Sequence, residues 1–328
     1  MTVLVTGGTG FIGSNLIERL RQRGDDVRCL AKDTLNAAML ESLNVEVVLG
    51  DLNNGIGWEK ILDGVDYVYH LAGVTRARNT REYYEGNWGA TKQFLKACRT
   101  HCKTLKRFVF VSSLAAVGPS LNGENITEET EYHPVSHYGK SKMLAEREVL
   151  SHTDSLPLTI IRPSAVYGPR ERDMFEYMKL IRKGIQPLIG FNKKLLNLIH
   201  ADDLVNGMIL AAENPVAEGQ IYFLGSHQNY TTQEIGNAIR LAITDCKLKF
   251  TIHIPHALVY GIGAVSEVIG KISGRKVFFN LQKAREATQP AWMCSTEKAK
   301  EQIGFRQTLS LEEGMWLTYR WYKEHHWL

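Results

Sequence analysis

The chain reads as an α/β protein built on a doubly wound parallel sheet, with a smaller, mixed region following it. Three observations predict this. Short runs rich in Val, Ile, Leu and aromatics recur at residues 3–6, 27–31, 45–49, 67–71, 108–112 and 158–161. Helical patterns at residues 11–23, 82–102 and 138–150 lie between them, with apolar side chains returning every three or four positions. The first run also passes straight into the glycine-rich turn Thr6-Gly7-Gly8-Thr9-Gly10-Phe11-Ile12-Gly13. Strands alternating with helices call for parallel pairing through right-handed crossovers, with helices on both faces.

Beyond Arg162-Pro163 the rhythm changes. Gly168-Pro169, Gly184, Pro187, Gly190, Pro215, Gly219 and Pro255 punctuate the chain, and helices are expected at 202–213 and 232–243. The expected division is residues 1–165 and residues 166–328, the second part mostly a substrate-binding region, partly interleaved with the first. The apolar stretch 257–272 contains Glu267 and several glycines and serines, which argues against a membrane span. It is expected to pack inside the protein. Trp316, Tyr319, Trp321, Tyr322 and Trp327 are expected to pack the last helix, and His325-His326 to form a solvated tail.

Composition narrows the function. With 328 residues, 44% hydrophobic and 23% charged, the chain is long enough for a substantial core. A formal charge of +4, with no basic block, gives no case for nucleic acid. Five scattered cysteines, Cys29, Cys98, Cys102, Cys246 and Cys294, do not make a disulfide framework and point to a reducing, cytoplasmic setting. Cys98 and Cys102 lie one helical turn apart without a third ligand at zinc-like spacing, so no metal site is expected.

The glycine turn has the chemistry of a dinucleotide loop. Gly7, Gly10 and Gly13 sit between a strand and a helix, where missing Cβ atoms let the backbone approach a pyrophosphate. The amides that open the helix, at Phe11 and Ile12, then meet the phosphates. An acid is usual at the end of the second strand, where it holds the ribose of NAD. Here Ala31-Lys32 stands there, with Arg28 upstream and Asp33 after it. A cation at that place favours the 2′-phosphate of NADP, so NADP is the preferred cofactor and NAD the alternative. Asp51 and Leu52 follow the third strand, where adenine is expected. Leu71, Ala72 and Gly73 end the fourth, where small residues let the cofactor pass.

Tyr138 and Lys142 stand four residues apart and share one helix face. A phenol titrates near ~10, and an ammonium beside it is expected to lower that value and make it a usable proton donor and acceptor. The fifth strand ends in Val111-Ser112-Ser113, at the sheet edge where ligands bind. Ser113 is the expected donor to a substrate oxygen, and Ser112 a strand-end cap.

On these residues the chain resembles the extended short-chain dehydrogenase/reductase superfamily, the NAD-dependent epimerase/dehydratase family. The family's Thr-Gly-x-x-Gly-x-x-Gly is Thr6 to Gly13, its Tyr-x-x-x-Lys is Tyr138 to Lys142, and its strand-end serine is Ser113. Its Asn-x-x-Gly-Thr is similar to Asn87-Trp88-Gly89-Ala90-Thr91, with Ala90 in place of glycine. Arg162 to Pro169 and His200 to Leu204 match two later elements. The resemblance implies a Rossmann-type fold, catalysis by Ser113, Tyr138 and Lys142, cofactor contacts at Asn87, Tyr138, Lys142, Pro163 and Ser164, and a homodimer.

Ala165 replaces the asparagine usual in nucleotide-sugar epimerases, and Leu114-Ala115 replaces the Asp-Glu pair of the dehydratases. The chain looks more like the 3β-hydroxysteroid dehydrogenase and dihydroflavonol reductase branch. That implies hydride transfer to or from a ketone or secondary alcohol of a small, apolar substrate. The alternatives are a nucleotide-sugar epimerase or dehydratase with tightly bound NAD, and a dinucleotide-binding sensor without catalysis.

Overall fold

The computed structural model describes residues 1–32, 40, 43–53, 55, 58–243, 250–274, 277 and 279–328. Asp33 and Cys246 lie outside them. The central sheet holds β1 (Thr2–Thr6), β2 (Asp26–Ala31), β3 (Glu46–Leu49), β4 (Tyr67–His70), β5 (Arg107–Val111) and β6 (Leu158–Pro163), plus a seventh strand, Ile221–Leu224. Its spatial order is the seventh strand, then β6, β5, β4, β1, β2 and β3. Every neighbouring pair is parallel. This is the Rossmann-type fold expected, and the order reverses at β1, between β2 and β4. At such a switch the flanking crossovers leave in opposite directions and open a crevice at the carboxyl ends.

The two-residue period of a strand sorts its side chains between two cores. Val3, Val5, Val109 and Val111 face one side, where Leu16, Ile17 and Leu20 of the helix Phe11–Gln22 meet Leu204, Val205 and Met208 of the helix Ala201–Glu213. Leu4, Phe108 and Phe110 face the other, against Phe94 and Leu95 of the helix Ala90–His101 and Val149 of the helix His137–Leu150. β5 and β6 are buried along their whole length. Each such side chain contributes about 1.5–3 kcal/mol, so the centre of the sheet is a stiff platform for residues at its carboxyl edge.

Chain order and architecture part company at residue 165. The helix Ala201–Glu213 and the strand Ile221–Leu224 both belong to the sheet's layers.

Two local expectations are corrected. The segment 82–102 is not one helix: Thr80–Tyr84 leads into a π-helical turn, Glu85–Gly89, before Ala90–His101. Asn87 lies within this turn. The apolar stretch also fails to pack inside: in the helix His256–Ser273 only Val259, Gly263 and Gly270 are buried. Gly263 is a contact point, where a Cβ would stand 3.1 Å from the Asn280 backbone. Among the described residues no helix is long and apolar enough to cross a membrane. At the C-terminus Tyr322 is fully buried, and His325 stacks on Trp321 at 4.1 Å.

Candidate active site

The glycine loop lies at the carboxyl end of β1. Gly7 adopts φ +74°, and a Cβ there would stand 2.6 Å from the Ala72 amide nitrogen. A Cβ on Gly13 would stand 2.2 Å from the Gly7 carbonyl oxygen. The loop is therefore folded against both its own helix and the end of β4, with no room for a side chain at either place. The Gly10 amide closes the turn by donating to the Gly7 carbonyl at 3.0 Å. Gly10 is also the N-cap and supplies no side-chain cap, so the first turn at Phe11 and Ile12 keeps amides for an anion.

His70, at the end of β4, is buried between Thr6 Oγ1 at 2.6 Å and Thr91 Oγ1 at 2.9 Å. Burial, reinforced by the Lys142 charge, pushes its pKa down to about 3, so the ring is neutral. Leu71 and Ala72 are fixed by hydrogen bonds to the Thr6 carbonyl and hydroxyl, at 3.1 and 3.3 Å. Gly73 and Val74 then meet Asn87. Its Oδ1 accepts from the Val74 amide at 2.6 Å, and its Nδ2 donates to the Val74 carbonyl at 3.0 Å and to Ser141 Oγ at 2.8 Å. Asn87 is buried, and its amide clamps the loop after β4 to the helix bearing Tyr138 and Lys142.

That helix begins at Ser136, whose side chain accepts from the Gly139 amide at 3.0 Å. Such a cap is worth about 1 kcal/mol and fixes where the first turn starts. Gly139 packs against the short helix Leu114–Val117 that follows β5: a Cβ there would stand 2.2 Å from the Ala115 carbonyl. The close approach brings Tyr138 next to Ser113, near enough for the serine to pull the phenol's pKa down. Ser113 Oγ also accepts from the Ala115 amide at 3.1 Å, capping the short helix Leu114–Val117.

Lys142 is buried. Its Nζ donates to the Val111 carbonyl at 2.7 Å and stands 4.4 Å from the Phe110 ring centre. Burial lowers its pKa to about 8, with Glu146 opposing the drop. Burial raises the Tyr138 phenol to about 12; Ser113 pulls it down, while Glu286 and Tyr83 push it up. The expected lowering of the phenol by Lys142 is therefore not observed. Desolvation of the half-buried ring dominates, and the ammonium is directed at the end of β5.

The expected strand-end cap at Ser112 is corrected: Ser112 is buried and donates to Glu146, and it is Ser113 that caps, with its O–H left free to donate. Motif chemistry does not point to Glu146, and it marks Arg162 only as the start of the Arg162 to Pro169 element. Arg162 Nη2 reaches Glu146 Oε2 at 2.8 Å, and Tyr132 donates to the same oxygen at 2.7 Å. Glu146 lies one turn beyond Lys142 on its helix, a spacing the sequence does display.

At the far side of the crevice, Lys32 forms an ion pair with Asp51 at 3.0 Å. Asp51 Oδ1 accepts from Asn53, through both its backbone and its side chain, at 3.0 Å. Burial pushes the Asp51 carboxyl up, but the Asn53 amide and Lys32 outweigh it and hold it below the usual range. Leu52 is buried in the core. Arg28 does not join this group: it pairs with Glu46 at 3.1 Å and donates to the Ile61 and Asp63 carbonyls. Its position within β2, rather than at its end, turns it away.

Pro163 ends β6, and the Ser164 amide donates to the Leu224 carbonyl at 3.0 Å. Ser164 Oγ is buried without a hydrogen-bond partner. Such a hydroxyl is costly unless a ligand satisfies it. The glycine cradle, the uncapped helix start and this unpaired hydroxyl all fit a bound dinucleotide.

A family model described as the NAD dependent epimerase/dehydratase family matches residues 3–225, ending at the seventh strand. The chain is 25% identical over 325 residues to the UDP-glucose 4-epimerase of Vibrio cholerae, covering 95% of this chain and 93% of that protein. It is 27% identical over 328 residues to the ceramide reductase of Caulobacter vibrioides, covering 99% of this chain and 96% of that protein. Among solved structures, that of MoeE5 in complex with UDP-glucose and NAD superposes with a TM-score of 0.79 at 23% identity, over 99% of this chain and 100% of that one, a likeness of fold. The chain belongs to the NAD dependent epimerase/dehydratase family, and is an enzyme of the extended short-chain dehydrogenase/reductase type.

Proposed function

We propose that the protein is an NADP-dependent reductase of ketones, or in reverse a dehydrogenase of secondary alcohols, acting on a small apolar substrate. The observation that carries this is the placing of Tyr138 next to Ser113 at the carboxyl edge of the sheet, where Gly139 of the catalytic helix packs on Ala115 and the serine is near enough to pull the phenol's pKa down. Two hydroxyls beside the crevice could share one carbonyl oxygen as acceptor. The dinucleotide supplies or accepts the hydride. Tyr138 gives the substrate oxygen its proton, and Ser113 orients that oxygen through a second hydrogen bond. A phenol raised to about 12 is fully protonated at neutral pH, which suits donation in the reducing direction. Lys142, one turn beyond Tyr138, keeps its charge at the Val111 carbonyl, and Asn87 acts as a positioning residue, fixing the loop after β4 on the catalytic helix.

Gly7, Gly10, Gly13, Phe11 and Ile12 would hold the pyrophosphate. Leu71, Ala72, Gly73, Pro163 and Ser164 would border the nicotinamide half, and Asp51 and Leu52 the adenine. Lys32 would face the 2′-phosphate. Ala165 and Leu114-Ala115 depart from the sugar-nucleotide pattern, and the likeness to a ceramide reductase favours an apolar substrate. The likeness to a UDP-glucose 4-epimerase favours a second reading, in which the same three residues serve a nucleotide sugar with NAD retained.

The test is a purification followed by turnover. The purified protein should carry no stoichiometric NAD(H), bind NADPH reversibly and oxidise it with apolar ketones. Tyr138→Phe should lower kcat by about 10²–10⁴-fold, leaving NADPH affinity nearly unchanged. Stoichiometric NAD(H) in the purified protein would favour the epimerase, and equal turnover by Tyr138→Phe would remove the mechanism.

A further inference from the structure

The helix His256–Ser273 turns its most apolar arc away from the protein. Leu258, Ile262, Val265, Ile269 and Ile272 follow one another at four- and three-residue steps, and they are between 46% and 83% exposed. That is the spacing of one helix face. In a helix that packs only on its own protein this face would be inward. Here Val259, Gly263 and Gly270 take the inward side, with Gly263 against Asn280 and Ala284. At 18 residues the helix is roughly 27 Å long. The apolar surface continues beyond its start. Phe191, 72% exposed, stacks on His253 at 5.5 Å, and Phe250 and Ile252 of the strand Phe250–Ile254 are also exposed.

We propose that this face docks on an anionic lipid surface, with the helix lying in the plane of the interface. Charge around the stripe selects this occupant. Exposed Lys183 precedes Gly184, whose carbonyl accepts from the Phe250 amide at 3.0 Å; exposed Lys193 follows Phe191 by two residues; and Lys271 lies on the helix itself, where it ties down the helix's single acid, Glu267, at 3.0 Å. Lysines beside an apolar helical face suit anionic headgroups and the acyl boundary beneath them. An irregular relief, with two phenylalanines on a neighbouring loop and strand, also suits fluid lipid better than a fitted protein surface.

The docking does not depend on the reaction assigned to the site. Glu267 and Gly270 line a cavity shared with Tyr83 and His137, and the Tyr83 ring lies 6.5 Å from that of Tyr138.

The experiment is vesicle flotation of the full-length protein. It uses vesicles of phosphatidylcholine alone and of phosphatidylcholine with phosphatidylglycerol. The wild type should float with the phosphatidylglycerol vesicles and be released by high salt. The double variant Val265→Glu/Ile269→Glu should lose about tenfold or more of this binding while still binding NADPH, which shows it folded. The proposal is overturned if the wild type stays unbound with both vesicles, or if the double variant floats equally well. It is also overturned if the wild type is an oligomer that the double variant splits, since the stripe is then covered by another copy.

Discussion

Lys142 donates its ammonium to the Val111 carbonyl at 2.7 Å, so the last carbonyl of β5 holds the positive charge of the catalytic helix in place. The charge is buried at a cost, which its lowered pKa records. Folded, the group titrates near 8; unfolded, near 10.5. Between those values the unfolded chain holds a proton the folded one has lost, so the wild type gains stability as pH rises through that window. Below pH 8 the penalty is fully present. Lys142→Met keeps the length of the side chain and removes the charge. It should therefore be more stable than the wild type at pH 7, by about 2–3 kcal/mol, and this advantage should shrink toward pH 10.5. Turnover should be lost at every pH. Urea unfolding at pH 7 and pH 10 measures the difference, and an unchanged gap would mean that Lys142 is not the group titrating.

Glu146 and Arg162 make the opposite case, a buried charge with its partner in place. Both are essentially inaccessible, and Ser112 and Tyr132 satisfy the remaining carboxylate oxygen sites. Glu146→Gln keeps the shape and strands the Arg162 charge, which should cost about 3–5 kcal/mol. Glu146→Leu combined with Arg162→Met should cost less than the two single changes summed, because each single change strands a buried ion and the double variant leaves none. Denaturation midpoints of the four proteins form the cycle. A zero coupling would show that the pair is not a unit.

The sequence displayed what depends on local spacing and on residues that only one geometry tolerates. The alternation of strands and helices, the glycines that no side chain can replace, and Tyr138 four residues before Lys142 are all of this kind. It did not display what depends on register between distant segments. Ser112 and Ser113 are indistinguishable as letters, and the direction of β5 decides which one meets Glu146 and which meets Tyr138. Arg28 and Lys32 both read as cations near a strand end, yet three intervening residues turn Arg28 toward Glu46. The apolar run 257–272 misled because hydrophobicity says that a face must be covered without saying by what. The π-helical turn at Asn87 has no sequence period of its own.

Lys32 offers the sharpest test of cofactor choice. It is 68% exposed and held at 3.0 Å by Asp51, a carboxylate whose other oxygen is already occupied by Asn53. An exposed pair of this sort adds little stability, so replacing Lys32 should leave folding almost untouched. A 2′-phosphate beside Lys32 would gain a charge-assisted hydrogen bond that a ribose hydroxyl does not, worth about 1.5–3 kcal/mol. Lys32→Glu turns that gain into repulsion. The ratio of NADPH to NADH affinity should therefore fall by about tenfold or more, chiefly through weaker NADPH binding, with NADH changing little. Fluorescence titration of both cofactors reads the ratio directly. If it is the same in the wild type and Lys32→Glu, Lys32 plays no part in choosing between them, and the preference for NADP loses its physical basis.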